Sequence, residues 1–145
     1  MSAALLQSAP SVASSAAAAP SSRGRLAGRI LSGLAIAFLT FDVAIKLIPN
    51  QMALQGTTTL GYQPHHVAII GTLGLICLVV YVIPRTAPLG AILWTGYLGG
   101  AIATHLRVDN PLFSHILFPT YVAALIWGGL YLRDARVRAL VRPTR

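Results

Sequence analysis

Residues Ala87–Arg107, APLGAILWTGYLGGAIATHLR, decide the fold. No charged residue stands anywhere in 89–104. At about 1.5 Å of rise per residue, a helix of this length matches the roughly 30 Å hydrocarbon core of a bilayer. A water-soluble helix would carry a charged face along the same length, and this one has none. Polar groups gather only at its C-terminal end, as Thr104, His105 and Arg107. Gly96 and Gly100 stand four residues apart and form, with Thr104, a narrow strip of small residues. In lipid, packing rather than hydrophobic burial holds helices together, so such a strip is expected to admit a neighbouring helix closely.

Composition points the same way. The chain has 145 residues, of which 55% are hydrophobic, and only three acids stand against eleven Lys and Arg. A soluble domain of that size needs far more charged surface. The net charge of +8 lies at positions flanking apolar stretches rather than along one groove-sized patch. It therefore indicates membrane topology and the lipid bilayer as partner, not nucleic acid. Cys77, the single cysteine, sits in an apolar run and reads as a small buried hydrophobe.

Four apolar spans follow, about 30–48, 67–83, 88–106 and 112–132. The expected fold is all-α, a transmembrane four-helix bundle with short loops, a disordered N-terminal tail and a basic C-terminal tail. By residue these are an Ala/Ser/Pro-rich tail over 1–24, a membrane domain over 25–140 and a basic cytoplasmic tail over 133–145. Pro49 closes the first span. Residues 50–64 read as a polar loop with room for a short interfacial helix around 52–60. Pro119 is expected to kink the fourth span.

Arg23, Arg25, Arg29, Arg85 and the five arginines of the tail fall on one side of this arrangement, and only Lys46 and Arg107 fall on the other. By the positive-inside rule both termini are cytoplasmic. That topology brings polar residues from different helices to the outer half. Asp42, Lys46, Thr104, His105, Arg107 and His115 are the candidate ligand-binding or polar-network residues, with Gly96 and Gly100 as helix-packing residues. His65, His66 and Asp109 stand nearby. Ionisable groups at membrane depth usually face the bundle interior and pair with one another. Asp42 is too short to reach water, and Lys46 lies one turn away at i+4. An unpaired carboxylate there would cost about 2.5–3.5 kcal/mol even on lenient insertion scales, so the two are expected to pair, with Arg107 or His105 completing a network. His105 and His115, on either side of a tight turn, are expected to lie close together.

The run LGAILWTGYLGGAIATHLRVDNPLFSHILFP, its GYLGGAxATHxR core above all, resembles the DoxX-like family of small four-helix membrane proteins. SGLAIAFLTFDVAIKL is similar to the family's first helix, and YVIPRTAPLGA to its turn between helices two and three. The resemblance covers roughly residues 25–140. It implies a four-span fold in the bacterial inner membrane. Some relatives in that family are named as subunits of thiosulfate:quinone or quinol oxidoreductases, and others are linked to redox or thiol-stress assemblies. Most members have no established activity.

The chain carries no cysteine pair, no nucleotide-binding glycine loop and no haem-attachment motif, hence no self-contained catalytic motif. Three readings remain. The first is a non-enzymatic membrane subunit whose outer polar pocket holds a quinone headgroup or small solute for a membrane or periplasmic redox partner. The second is a redox component with its own cofactor, where haem would use His105 and His115 as axial ligands, or a metal would use those two with His65 or His66. The third is a small proton-coupled transporter using Asp42. The residues favour the first and leave any metal, and the oligomeric state, unassigned.

Overall fold

The structure, a computed structural model, describes residues 21–141. It is all-helical, with no strand among the described residues. Six helices follow in order: α1 (Ser22–Leu47), α2 (Gln51–Thr59), α3 (His66–Val82), α4 (Ala87–Arg107), α5 (Phe118–Arg133) and α6 (Ala135–Val141), with one π-helical turn at Leu112–Ile116 before α5.

Local chemistry sets the ends of these helices. The Ser21 hydroxyl accepts from the Gly24 N–H at 3.1 Å and starts α1, because an N-cap oxygen satisfies a donor that lacks an intrahelical partner. The helix therefore begins well before residue 30. Of the stretch 1–24 expected to be a tail, residues 1–20 lie outside the described residues and the rest cap or open α1. Ile48 turns extended ahead of Pro49. Asn50 then caps Met52 and Ala53 and converts the loop into α2. Gly61 ends that turn with φ +84°, a left-handed conformation open to glycine at little cost. Pro88 sits in the first turn of α4, where its missing N–H is harmless. Asp109 takes φ +51° in the tight turn after α4. The fourth apolar stretch breaks at Leu117, two residues before Pro119, which occupies the first turn of α5. Within the basic tail, residues 135–141 form α6, with Val137 buried; residues 142–145 lie outside the described residues.

Helix α1 lies against α3 and α5, and α4 lies against the same two. The tightest packing is at one end. Tyr81 and Trp94 are fully buried with Leu39, Ile126 and Leu130. The Tyr81 hydroxyl donates to the Ile126 carbonyl at 3.3 Å. There α1 and α5 touch backbone to backbone: a Cβ on Gly28 would lie 2.9 Å from the Gly129 carbonyl oxygen, and one on Gly129 would lie 2.9 Å from Ser32 N. At the opposite end α1 and α3 stay close, where a Cβ on Gly71 would lie 2.9 Å from the Lys46 Cβ, and a space opens between them and the helices α4 and α5.

Two stretches, Ser22–Leu47 and Leu112–Arg133, are long and apolar enough to cross a membrane, and α3, 17 residues long, is a shorter apolar helix. Helix α4 has the length at 21 residues, but its glycines, Thr95 and Thr104 dilute its hydropathy.

Candidate ligand cavity

The parted end encloses a cavity of about 460 Å³, within the roughly 300–1,000 Å³ typical of small-molecule sites. Helix α1 contributes Phe38, Asp42 and Lys46; α3 contributes Ile70 and Leu73; α5 contributes Phe118, Pro119 and Val122. The largest share comes from α4, with Trp94, Gly96, Tyr97, Gly100, Thr104 and His105. Leu60 and Tyr62, in the turn after α2, cover the mouth.

The charge in the cavity is self-contained. Lys46 Nζ donates to the Asp42 carboxylate one helical turn below it, and both side chains are largely buried. What stays open to a ligand is therefore hydrogen bonding rather than net charge. Trp94 is fully buried, and its indole Nε1–H has no hydrogen-bond partner among the described residues. An orphaned donor of this kind costs about 1–3 kcal/mol; the Trp94 residue borders the cavity, while the N–H itself is buried behind the wall. Tyr97 stands edge-on to the Trp94 ring, with centroids 4.9 Å apart, and half-buried Phe38 and Phe118 meet edge to face at 5.4 Å.

The mouth is fastened by hydrogen bonds. Thr104 Oγ1 donates to the Gly100 carbonyl at 2.9 Å, so its other contact, 2.9 Å from the Tyr62 hydroxyl, is one in which Tyr62 donates. Arg107 Nη2 donates to the Leu60 carbonyl at 2.5 Å, and the guanidinium lies against Gly61, 3.2 Å from where a Cβ would stand. Four contiguous features, α2, Leu60, Gly61 and Tyr62, thus form a lid latched to the end of α4.

The structure brings Asp42, Lys46, Thr104 and His105 to one cavity. It does not bring Arg107 or His115 into its lining. The expected network from Asp42 to Arg107 or His105 does not form: Arg107 holds the lid, and His105 Nδ1 pairs with Asn110 Nδ2 at 2.8 Å. His105 and His115 do lie close, with ring centroids 5.6 Å apart. His115 Nδ1 is 2.8 Å from the Ser114 hydroxyl. The rings of His65 and His66 lie 4.1 Å apart, tilted by 60°, outside the cavity lining. No group of three His, Cys, Asp or Glu suited to a metal ion occurs among the described residues.

Gly96 and Gly100 carry no helix contact: a Cβ on either would meet nothing within 4 Å. Close approach falls instead at Gly90, where a Cβ would collide with the Tyr81 backbone. Sequence reasoning missed Trp94, Tyr97 and Tyr62. For Tyr97 a signal existed, since Tyr97, Ala101 and Thr104 follow helical spacing along one face. Tyr62, in a turn, offers no periodicity to read.

The sequence profile of the DoxX-like family matches residues 30–129, a stretch holding all four long helices except the ends of α1 and α5. No curated protein and no solved structure matches the chain.

Proposed function

The chain belongs to the DoxX-like family, and from that premise we propose a multi-pass protein of the bacterial inner membrane that binds a quinone headgroup for a redox partner without catalysing a reaction of its own. In this reading α1, α3, α4 and α5 form a transmembrane four-helix bundle with both termini cytoplasmic. Two features support four crossings over two. Nine of the eleven Lys and Arg residues fall on one side only if all four helices cross. Further, α3 and α4 turn Ile69, Leu73, Ile76, Leu89 and Ile92 outward, each about half exposed. An apolar belt so wide is expected in lipid and not in water.

The observation that carries the binding role is a cavity of ligand size whose one carboxylate is already paired and whose aromatic wall includes the Tyr97 hydroxyl group. A quinone's ring oxygens accept hydrogen bonds and carry no charge. Tyr97 brings a hydroxyl donor to the wall, and Phe38, Phe118 and Leu73 supply apolar surface for a flat ring. A charged solute would find no free counter-charge there. When bound, a quinone supplies two-electron carrier chemistry; this chain's residues hold and orient its head.

The test is organic extraction of the protein purified in mild detergent. Stoichiometric quinone in the wild type and several-fold less in Tyr97→Phe would support the reading. Absence of extractable quinone would overturn it, and a Soret band would move the role to a haem-bearing redox component.

A further inference from the structure

The cavity has two borders of opposite construction, and together they say from which phase a ligand arrives. Toward water, the lid is fastened twice, by Tyr62 to Thr104 and by Arg107 to the Leu60 carbonyl. Toward the flank of the molecule, the wall on α4 is made of Gly96 and Gly100. Both line the cavity, both are exposed on the outer surface, and neither has any atom within 4 Å of its would-be Cβ.

The flank can be identified. On one side of α4, Thr95 Oγ1 accepts from Trp127 Nε1 of α5 at 2.9 Å. On the other, Gly90 abuts Tyr81 and the Tyr97 hydroxyl stands beside Gly74, both of α3. Gly100 follows Tyr97 by three residues, so helical spacing sets it toward the α3 side, and Gly96, one turn before Gly100, lines the cavity together with Ile70 and Leu73 of α3. The seam between α3 and α4 is closed at its Tyr81–Gly90 end; beside the cavity Tyr97 stands in it, and beyond Tyr97 the α4 side is the bare backbone of Gly100.

Resting on the reading of the cavity as a ligand site, the geometry points to lateral loading. The ligand enters from the hydrocarbon phase through the α3–α4 seam at Gly96 and Gly100, and is therefore a lipid-soluble amphiphile with an oxygen-bearing ring and an apolar tail, not a water-soluble solute. The ring lies beside Tyr97, and the tail stays in the seam against Leu73, which lines the cavity and is half exposed. The glycines serve as an opening instead of a packing face, which accounts for four-residue spacing with nothing packed on it. Because both positions have open space, larger residues can be placed there without disturbing a contact.

The experiment uses the full chain in lipid nanodiscs and two photoreactive benzoquinones carrying a diazirine, one with a decyl tail and one tail-less and water-soluble. The decyl probe is expected to label cavity peptides of the wild type. In Gly96→Leu/Gly100→Leu, labelling should form roughly tenfold more slowly, as for an obstructed association step. Tyr62→Phe and Arg107→Gln, which loosen the lid, should leave that rate unchanged. Wild-type labelling rates in the double leucine variant, or faster entry on loosening the lid, would overturn lateral loading while leaving the cavity a binding site. Cavity labelling by the tail-less probe alone would overturn the ligand class. If neither probe labels cavity peptides, the binding role itself falls, and lateral loading with it.

Discussion

Gly90 lies so close to Tyr81 that the backbone of α3 occupies the place where a side chain on α4 would begin. This contact joins two of the four long helices at the tightly packed end, directly beside the fully buried Tyr81 ring. A methyl group at 90 has no flexible side chain to displace; it meets the N and Cα of Tyr81. Forcing extra volume into a packed core costs about 1–3 kcal/mol, and backbone yields less readily than side chains. Gly90→Ala is therefore expected to lose about 3 kcal/mol or more in detergent melts. Gly100→Ala, with open space, should be neutral or slightly stabilising, since alanine favours helix by up to about 1 kcal/mol. Equal melting of the two variants would show that α3 and α4 do not pack as described.

The Asp42–Lys46 pair gives a second expectation. An exposed i,i+4 pair contributes only about 0.3–0.5 kcal/mol, whereas stranding one charge of a buried pair costs about 3–5 kcal/mol. The side chains of Lys46 and Asp42 are 17% and 26% exposed, so this pair lies between those limits. Asp42→Asn, which leaves Lys46 without its anion, is expected to destabilise by about 2 kcal/mol. Lys46→Met should have a different effect, because it strands the carboxylate instead, and Asp42 has the shorter side chain and no other cation in the cavity lining. Loss in each single variant and partial recovery in Asp42→Asn/Lys46→Met is the expected double-mutant cycle. Strictly additive losses would show that the two groups do not interact.

Much of this arrangement was legible in the sequence where chemistry is local. Pro49, Pro84 and Pro88 punctuate the helices, so the span expected over 88–106 matches α4 to within one residue at each end. Asp42 and Lys46 pair because four residues of helix bring any such two groups together. The glycines were not legible in the same way. Gly90, Gly96 and Gly100 are equally small, and only the course of α3 decides that the first is a contact and the others an opening. Arg107 was misplaced for a similar reason. Its partner is a backbone carbonyl, Leu60 O, in a lid whose position depends on Asn50 starting α2 and Gly61 ending it, and a carbonyl has no signature in sequence.

At the opposite end, Arg136 joins α6 to the turn between α3 and α4. Its guanidinium donates to the carbonyls of Pro84 and Arg85 at 2.8 and 3.1 Å and to the Asp134 carboxylate at 2.8 Å. The hydrogen bond from Arg136 is the main cause holding the Asp134 carboxyl below its ordinary value, against the opposing effect of burial. A carboxyl whose pKa is depressed on folding contributes stability that is fully present above its unfolded value, near 3.9, and is lost as pH falls through the lower folded value. Wild-type protein should therefore lose stability more steeply than Asp134→Asn as the pH drops below about 4. Arg136→Gln should also free the turn, seen as faster trypsin cleavage after Arg85. Parallel pH profiles with unchanged cleavage would remove the latch.

The proposed topology rests on charge and is tested independently of any ligand. With four crossings, Arg85 and the arginines beyond Leu132 share a side with Arg23, Arg25 and Arg29, while α2 and the lid face the other way. If only the two most apolar stretches, Ser22–Leu47 and Leu112–Arg133, crossed, the termini would still share a side. The turn carrying Arg85 would then be carried across the membrane, against the positive-inside rule, and Arg136 could not reach the Pro84 carbonyl. A reporter active only outside the cytoplasm separates the cases. Fused after Thr58 it should be active, and fused after Arg145 it should be silent. Fused after Arg85 it should be silent for four crossings and active for two. Activity at Arg85 would limit the chain to two crossings and place the cavity partly outside the membrane.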